Sequence, residues 1–128
     1  MIHLDTSILI DALTGPRRSG DALRAAIAGG DRLAVSALVL YEWRRGPRQP
    51  AELDVQDQLL PSSAAVPFDA IAAARAAELY GRVKRPRGRE LDLAIAACAL
   101  VHDAMFWTLN VADFRDIPGL SLYKPEPR

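Results

Sequence analysis

The chain alternates between short apolar segments and segments with helical periodicity, and few folds accommodate that order. Apolar strand candidates occupy residues 2–4, 33–35, 64–66 and 106–109, and an edge-strand candidate occupies 120–123. Helical patterns fill the intervals at 7–13, 21–27, 38–45, 50–60, 69–83 and 91–101, with Asp21 and Asp69 as capping residues. Strands that alternate with helices at this spacing form βαβ units, whose parallel strands are covered by helices on both faces. The sequence therefore predicts an α/β domain with a mostly parallel sheet of four or five strands.

The helical segment at 91–101 is apolar on nearly every side, which predicts a helix in the interior. Cys98 lies within it and is the only cysteine of the chain, so we interpret it as a buried small side chain in a protein from a reducing compartment. This apolar run is too short to cross a bilayer, and Asp5 interrupts the only apolar stretch in which a signal sequence could start. We therefore expect a cytoplasmic protein with no membrane contact.

The charges of the chain balance, because 16 Lys and Arg residues face 16 Asp and Glu residues. Any contact with nucleic acid must then come from local clusters of basic side chains. One cluster comprises Arg44, Arg45 and Arg48, and a second is the basic stretch at 82–89. The second cluster contains Arg82, Lys84, Arg85, Arg87 and Arg89. Both clusters could contact RNA phosphates, or they could be an ordinary solvated loop and helix end, and the sequence leaves the two interpretations open.

Two acidic residues in the first half of the chain stand where a charge is costly to bury. Asp5 directly follows the first apolar strand, at the edge where open α/β sheets bind ligands. Its alternative role is to cap the helix that follows. The Glu42 side chain lies on, or beside, the apolar face of its helix, where an unpaired charge is costly. Its alternative role is an ion pair with Arg44 or Arg45.

Two further acids occupy similar places in the second half. Asp92 lies in the first turn of the interior helix, where it could also be a partner of the helix dipole. Asp113 follows the strand at 106–109 and could instead cap a turn that includes Phe114 and Asp116. Two of the four acids follow apolar strands, and the other two lie on helices that can reach the same sheet edge. We therefore predict one shared acidic pocket, which a divalent cation would stabilise against charge repulsion.

The chemistry of these ligands narrows the choice of metal. Oxygen-only ligands favour Mg²⁺ or Mn²⁺, which leave coordination positions for waters and a substrate phosphate. Zinc is disfavoured, because the only histidines are His3 and His102 and neither is spaced from Cys98 as zinc ligands are. A divalent ion in such a pocket can lower the pKa of a bound water and stabilise charge on phosphate oxygens. This is the chemistry of phosphodiester hydrolysis.

With these residues in this order, the chain resembles PIN-domain nucleases of the VapC type, the toxin half of a toxin–antitoxin pair. The resemblance spans nearly the whole length and depends on the segments 4–11, 36–42, 91–97 and 108–114. It implies a three-layer α/β/α sandwich, endoribonuclease activity that depends on Mg²⁺ or Mn²⁺, and usually a homodimer. It also implies a partner, a small VapB-type antitoxin that wraps the nuclease and excludes RNA.

The resemblance also implies roles for the four acids. Asp5 and Asp92 would be the principal metal-binding carboxylates, and Asp113 would complete the metal environment. Glu42 would position a metal-bound water or assist proton transfer. The catalytic set that the resemblance implies is therefore Asp5, Glu42, Asp92 and Asp113.

Three polar residues match positions around that pocket. Thr108 and Asn110 match family positions that form hydrogen bonds near the acids. Ser7 stands where the family often has Asn, and Ser is also common there. These three side chains are predicted to support the acidic centre.

Residues 1–124 are expected to form a single PIN domain, followed by a Pro-rich tail at 125–128. One alternative is a catalytically silent PIN-like interaction module in which the acids are structural. Another is a phosphotransfer domain with Asp5 as nucleophile, but Ser7 stands where such a domain would need a second acid. The sequence does not identify the RNA target or the number of metal ions.

Overall fold

A computed structural model describes residues 1–125, so the tail predicted for 125–128 lies outside the described residues except for Pro125. Its sheet has three parallel strands in the order β2-β1-β3. The strands are β1 (Ile2–Leu4), β2 (Leu33–Ala34) and β3 (Met105–Trp107). Ile2 of the central strand lies opposite Leu33 on one side and Met105 on the other. The parallel sheet predicted from the sequence is confirmed.

Seven α-helices connect and cover these strands in the described part of the chain. Their bounds are α1 Thr6–Leu13, α2 Gly20–Ala28, α3 Ala37–Arg45, α4 Pro50–Leu59, α5 Ala70–Arg82, α6 Glu90–Val101 and α7 Val111–Phe114. The first six lie where helical periodicity predicted them, and the short α7 occupies a segment interpreted as a turn. With the strands between them, the helices give the α/β/α arrangement that the sequence predicted.

The prediction of four or five strands is wrong for the described residues, and the segment 64–66 shows why. Ser62–Ala64 forms a 3₁₀ helix, and Val66 pairs with Ser36 in a single parallel bridge. In that bridge the Val66 N–H donates to the carbonyl of Val35 at 2.9 Å. The segment that pairs with Val66 enters α3 directly after Ser36, the N-cap residue of that helix, so the ladder cannot continue along this edge.

The opposite edge of the sheet ends in the same way. Leu122 forms a single parallel bridge with Phe106 rather than an edge strand. The Phe106 N–H donates to the carbonyl of Ser121, and the Tyr123 N–H donates to the carbonyl of Phe106, both at 2.8 Å. One bridge on each side thus extends a three-stranded sheet.

Side chains at the helix starts explain two of the boundaries. Asp69 accepts a hydrogen bond from the Ala72 N–H at 2.9 Å and caps α5 as predicted. The prediction that Asp21 caps the second helix is wrong, because α2 begins one residue earlier and Asp21 lies in its first turn. Ser19 is the N-cap residue there, and its hydroxyl donates to Asp11.

Helix α6 passes through the hydrophobic core, as its composition predicted. Its side chains from Ile95 to Ala99 are all buried, and it contacts α5, α3, β3 and α7. Cys98 is buried within it as a free thiol. A helix fixed on so many sides holds its N-terminal turn in one place relative to the sheet. None of the helices in residues 1–125 has both the length and the apolar composition needed to span a bilayer.

Candidate active site

Asp5 lies at the point where β1 ends and α1 begins. Its backbone N–H donates to the carbonyl of Trp107 at 2.9 Å, so the ends of β1 and β3 are joined there. Asp5 is the N-cap residue of α1, but its side chain makes no capping hydrogen bond. The capping alternative for this carboxylate is therefore wrong. With 5% of its surface exposed, the side chain is buried and must find its partners across the sheet edge.

A chain of hydroxyl groups holds one oxygen of Asp5. The hydroxyls of Thr108 and Ser7 donate to Oδ2 at 2.7 and 3.0 Å. The backbone N–H groups of Asn110 and Leu109 in turn donate to the Thr108 and Ser7 hydroxyls at 2.9 and 3.0 Å. Oδ1 accepts no hydrogen bond from residues 1–125. The strand ends thus orient the carboxylate and leave one oxygen available to a ligand. Asn110 contributes to this arrangement through its main chain.

Glu42 lies on α3 and is held in a similar way. The Thr6 hydroxyl donates to Oε1 at 2.7 Å, and Arg45 approaches Oε2 at 3.7 Å. The ion pair weighed as an alternative role is therefore present, with Arg45 rather than Arg44. The sequence analysis assigned no role to Thr6, although its position between Asp5 and Ser7 was a signal. Two adjacent residues of α1 thus orient two different carboxylates.

Asp92 shows that the four acids interact. Burial is the main cause that raises its pKa to about 6 from an ordinary 3.8, and the charges of Asp5, Asp113 and Glu42 raise it further. Arg89 opposes this effect. Asp92 accepts no hydrogen bond from residues 1–125, although it stands at a helix N-terminus that favours anions. Acids from three other elements therefore lie close enough to Asp92 to raise its pKa.

Asp113 lies on α7, and hydrogen bonds of Arg89 connect this helix to the start of α6. The Arg89 guanidinium donates to both carboxylate oxygens of Asp116, at 2.7 and 2.9 Å, and to the Asp113 carbonyl at 2.8 Å. The same contact holds the pKa of Asp116 below its ordinary value and that of Arg89 above its own. In the sequence, Arg89 belongs to the basic stretch at 82–89, for which RNA contact and a solvated loop were both left open; in the structure it connects two elements that carry acids.

The basic residues fall into two groups once their contacts are known. Arg48 lies 4.3 Å from the centre of the Trp43 ring and donates to the Trp43 carbonyl. Arg82 pairs with Glu78 at 3.6 Å. Together with Arg45 and Arg89, these side chains have protein partners. In the described part of the chain, Arg44, Lys84, Arg85 and Arg87 are exposed and form no ion pair within 4 Å.

The donor set determines which cation the site could hold. Among residues 1–125, no three His, Cys, Asp or Glu side chains stand at the mutual spacing of a three-ligand metal site. Mg²⁺ needs fewer protein ligands, because it typically binds one or two carboxylates and keeps several waters. Asp5 offers an oxygen without a protein donor, and Asp92 carries a charge that its neighbours disfavour. These hard oxygen ligands fit Mg²⁺ or Mn²⁺.

Comparisons of this sequence with known proteins agree with the resemblance to PIN-domain nucleases. The sequence pattern of the PIN domain matches residues 2–120. Ribonuclease VapC19 of Mycobacterium tuberculosis is 32% identical over 123 residues, which cover 91% of this chain and 94% of that protein.

Solved structures share the fold over nearly the full length. A chain of VapBC2 from Rickettsia felis, bound to a DNA fragment from its promoter, superposes with a TM-score of 0.76 at 25% identity, covering 96% of this chain and 98% of that one. A chain of a toxin–antitoxin complex from Klebsiella pneumoniae gives a TM-score of 0.74 at 25% identity, covering 98% of both chains.

Proposed function

Because this chain belongs to the PIN-domain family, we propose that it is a Mg²⁺- or Mn²⁺-dependent endoribonuclease, the toxin of a toxin–antitoxin pair. The observation that carries the proposal is the effect of Asp5, Asp113 and Glu42 on the pKa of Asp92. A partly buried acid whose charge is disfavoured by burial and by three neighbouring acids is typical of sites that bind cations or move protons. The ribonuclease name of the Mycobacterium tuberculosis relative supports RNA as the substrate.

Asp5 and Asp92 are the residues that would bind the cation directly. Ser7 and Thr108 hold Oδ2 of Asp5, so its second oxygen has a fixed direction when a ligand arrives. Asp92 gains most from a cation, since the charges around it are otherwise repulsive. Asp113 is exposed and would complete the cation's surroundings from α7.

The bound cation would stabilise negative charge on the phosphate oxygens and make an attacking water more acidic. Hydrolysis then needs a group that accepts the proton of the water as its oxygen bonds to phosphorus and the bond to the leaving oxygen breaks. We assign this role to Glu42, whose Oε1 is oriented by the Thr6 hydroxyl. The proton returns to the leaving oxygen, so the carboxylate is restored.

A catalytically silent interaction module is the second candidate. The observation in its favour is that no three acids of residues 1–125 stand at the spacing of a three-ligand site. A silent module would keep the fold and the partner surface without binding a divalent ion. Calorimetric titration with Mn²⁺ at low ionic strength separates the two, because the nuclease should bind and the silent module should not.

Cleavage of a single-stranded RNA by the purified chain in Mn²⁺ tests the proposal. Asp5→Asn and Asp92→Asn should each abolish cleavage while circular dichroism shows a folded protein. Asp54→Asn is the matched control, because Asp54 is an exposed acid on α4, which carries none of the four site residues. Cleavage by either site variant at the wild-type rate would refute the assignment.

We extend the proposal to the partners. The Klebsiella pneumoniae structure is a toxin–antitoxin complex, which supports a VapB-type antitoxin for this chain. Expression of the chain alone in the cytoplasm should arrest growth, and a neighbouring small open reading frame should relieve the arrest. A homodimer is also expected; exposed apolar side chains such as Ile71 and Tyr41 are available for subunit contacts. Sedimentation velocity of the free protein measures this oligomeric state.

A further inference from the structure

We infer that the loop between α5 and α6 binds the phosphates of single-stranded RNA through Lys84, Arg85 and Arg87. The inference rests on the proposed function and deepens it, because it assigns the contacts that hold the substrate beside the acids. It also divides the basic stretch at 82–89, whose five cations are equivalent in the sequence, into two groups with different roles.

The contacts of the loop support this division. Arg82 pairs with Glu78 at the end of α5, and Arg89 is engaged by Asp116 and by a main-chain carbonyl. Lys84, Arg85 and Arg87 are exposed and form no hydrogen bond or ion pair with residues 1–125. Charges that already have a partner release fewer counterions on binding a polyanion than charges that face only water.

One neighbouring acid must be considered. Glu90 lies close enough to Arg87 for the arginine to lower its pKa, although backbone hydrogen bonds are the larger cause. Its carboxylate accepts the Gly88 N–H at 3.1 Å and is therefore directed at the main chain of the loop. Arg87 keeps its donors free for a ligand.

The loop is anchored at both ends. Val83 is buried in the core at its start, and Arg89 is held by Asp116 at its end. Between them, Gly88 has a φ of +84°, a conformation that side-chain-bearing residues rarely adopt. The three cations are therefore presented from a loop that is held at both ends, so less backbone conformational entropy is lost when they bind a ligand.

The position of the loop beside the acids, together with the proposed function, favours RNA as the ligand. The loop leads directly into the first turn of α6, which carries Asp92, and Arg89 connects it to the element that carries Asp113. A phosphodiester that approaches four carboxylates is repelled, and a chain with a net charge of zero supplies no long-range attraction. Local cations next to the acids are what a polyanionic substrate requires there.

Binding without cleavage provides the test. The full-length Asp5→Asn protein is titrated with a fluorescently labelled single-stranded RNA, and the Kd is measured by anisotropy over a range of NaCl concentrations. Replacing Lys84, Arg85 and Arg87 together by Ala should reduce the slope of log K against log salt by about 2, because each single-strand phosphate contact contributes roughly 0.7. Each single replacement should reduce it by about 0.7.

Arg82→Ala is the matched control, because Arg82 borders the loop but has a protein partner. It should change the slope less than any single loop variant, and Lys84→Arg should preserve the wild-type slope. Circular dichroism confirms that each variant is folded.

The inference is overturned if the triple variant keeps the slope and affinity of its parent, or if Arg82→Ala has the larger effect. It is also overturned if the triple variant binds RNA normally but no longer binds a protein partner. If the wild-type protein cleaves RNA but the triple variant keeps the salt slope of its Asp5→Asn parent, only the loop assignment is refuted. If the triple replacement reduces the salt slope but the wild-type protein does not cleave RNA in Mn²⁺, the loop assignment is supported and the proposed catalysis is refuted.

Discussion

Replacing Asp92 by Asn should stabilise the protein in the absence of divalent ions. Burial and the charges of Asp5, Asp113 and Glu42 raise the pKa of Asp92 from 3.8 to about 6. Above that pH the folded protein carries a carboxylate that its surroundings disfavour. Asparagine has nearly the same shape and no charge, so the substitution removes the repulsion and keeps the packing.

The size of the effect follows from the two pKa values. A rise from 3.8 to about 6 corresponds to at most about 3 kcal/mol, and solvent screening of a partly exposed group reduces this to about 1–2 kcal/mol. The folded pKa is the higher one, so wild-type stability falls as pH rises from about 4 to about 6. The advantage of Asn should therefore be complete above about pH 7 and absent below about pH 4.

Thermal unfolding in EDTA at several pH values measures this. At about pH 8 the variant should melt roughly 3–8 °C above wild type. Glu90→Gln is the matched control in the same helical turn, because backbone hydrogen bonds lower the pKa of Glu90 and its charge is favourable. It should not raise the melting temperature. Equal melting temperatures for Asp92→Asn and wild type, or a gain that persists at low pH, would refute the raised pKa of Asp92.

A divalent cation should relieve the same repulsion. At a Mn²⁺ concentration about 100 times its Kd, binding to the folded state alone stabilises a protein by about 2.7 kcal/mol. Wild type should gain this stability, and Asp92→Asn should gain much less because a ligand of the ion is missing. An equal gain in both proteins would mean that Mn²⁺ binds elsewhere.

Three further outcomes follow from the contacts. Thr108→Val should lower the free energy of unfolding by about 1–3 kcal/mol in urea titrations, because Asp5 loses a buried donor; an unchanged value would show that the hydrogen bond contributes nothing. Arg89→Ala should reduce RNA cleavage by displacing α7, with a stability loss of about 1 kcal/mol or less because the Asp116 pair is partly exposed. Asp116→Asn should reproduce that loss of cleavage, and full activity in either variant would contradict it. Leu79→Ala should lower the free energy of unfolding by about 2–5 kcal/mol, measured in the same way, because the side chain is buried on α5, which packs against α6; a loss below about 1 kcal/mol would contradict its place in the core.

The elements that carry Asp5, Glu42 and Asp92 were predictable because their patterns are long or sharply bounded, whereas α7, which carries Asp113, is one short turn of helix. Helix α6 is apolar on nearly every side, and its place in the core followed from that composition. The segment 64–66 misled the prediction, because three apolar residues do not show whether a neighbouring strand will pair with them. Pairing depends on long-range register and on the partner segment, which enters α3 after Ser36 and so ends the pairing.

The partners of the acids were less predictable than the acids themselves. The role of Thr6 depends on the distance to Glu42 across two helices, and no local pattern encodes that distance. Arg89 looked like one cation among five, and only the contact with Asp116 separates it from its neighbours. Sequence reports which side chains are available, whereas the fold decides which of them meet.

The hydroxyl that holds Asp5 belongs to Thr108, which lies 103 residues later in the chain. The central strand also pairs with β3, near the other end of the chain. During synthesis, Asp5 therefore lacks its Thr108 donor until that residue has left the ribosome. A nascent chain from which β3 has not yet emerged lacks the completed acidic centre, so the RNA cleavage that we propose would begin only after β3 has paired with β1.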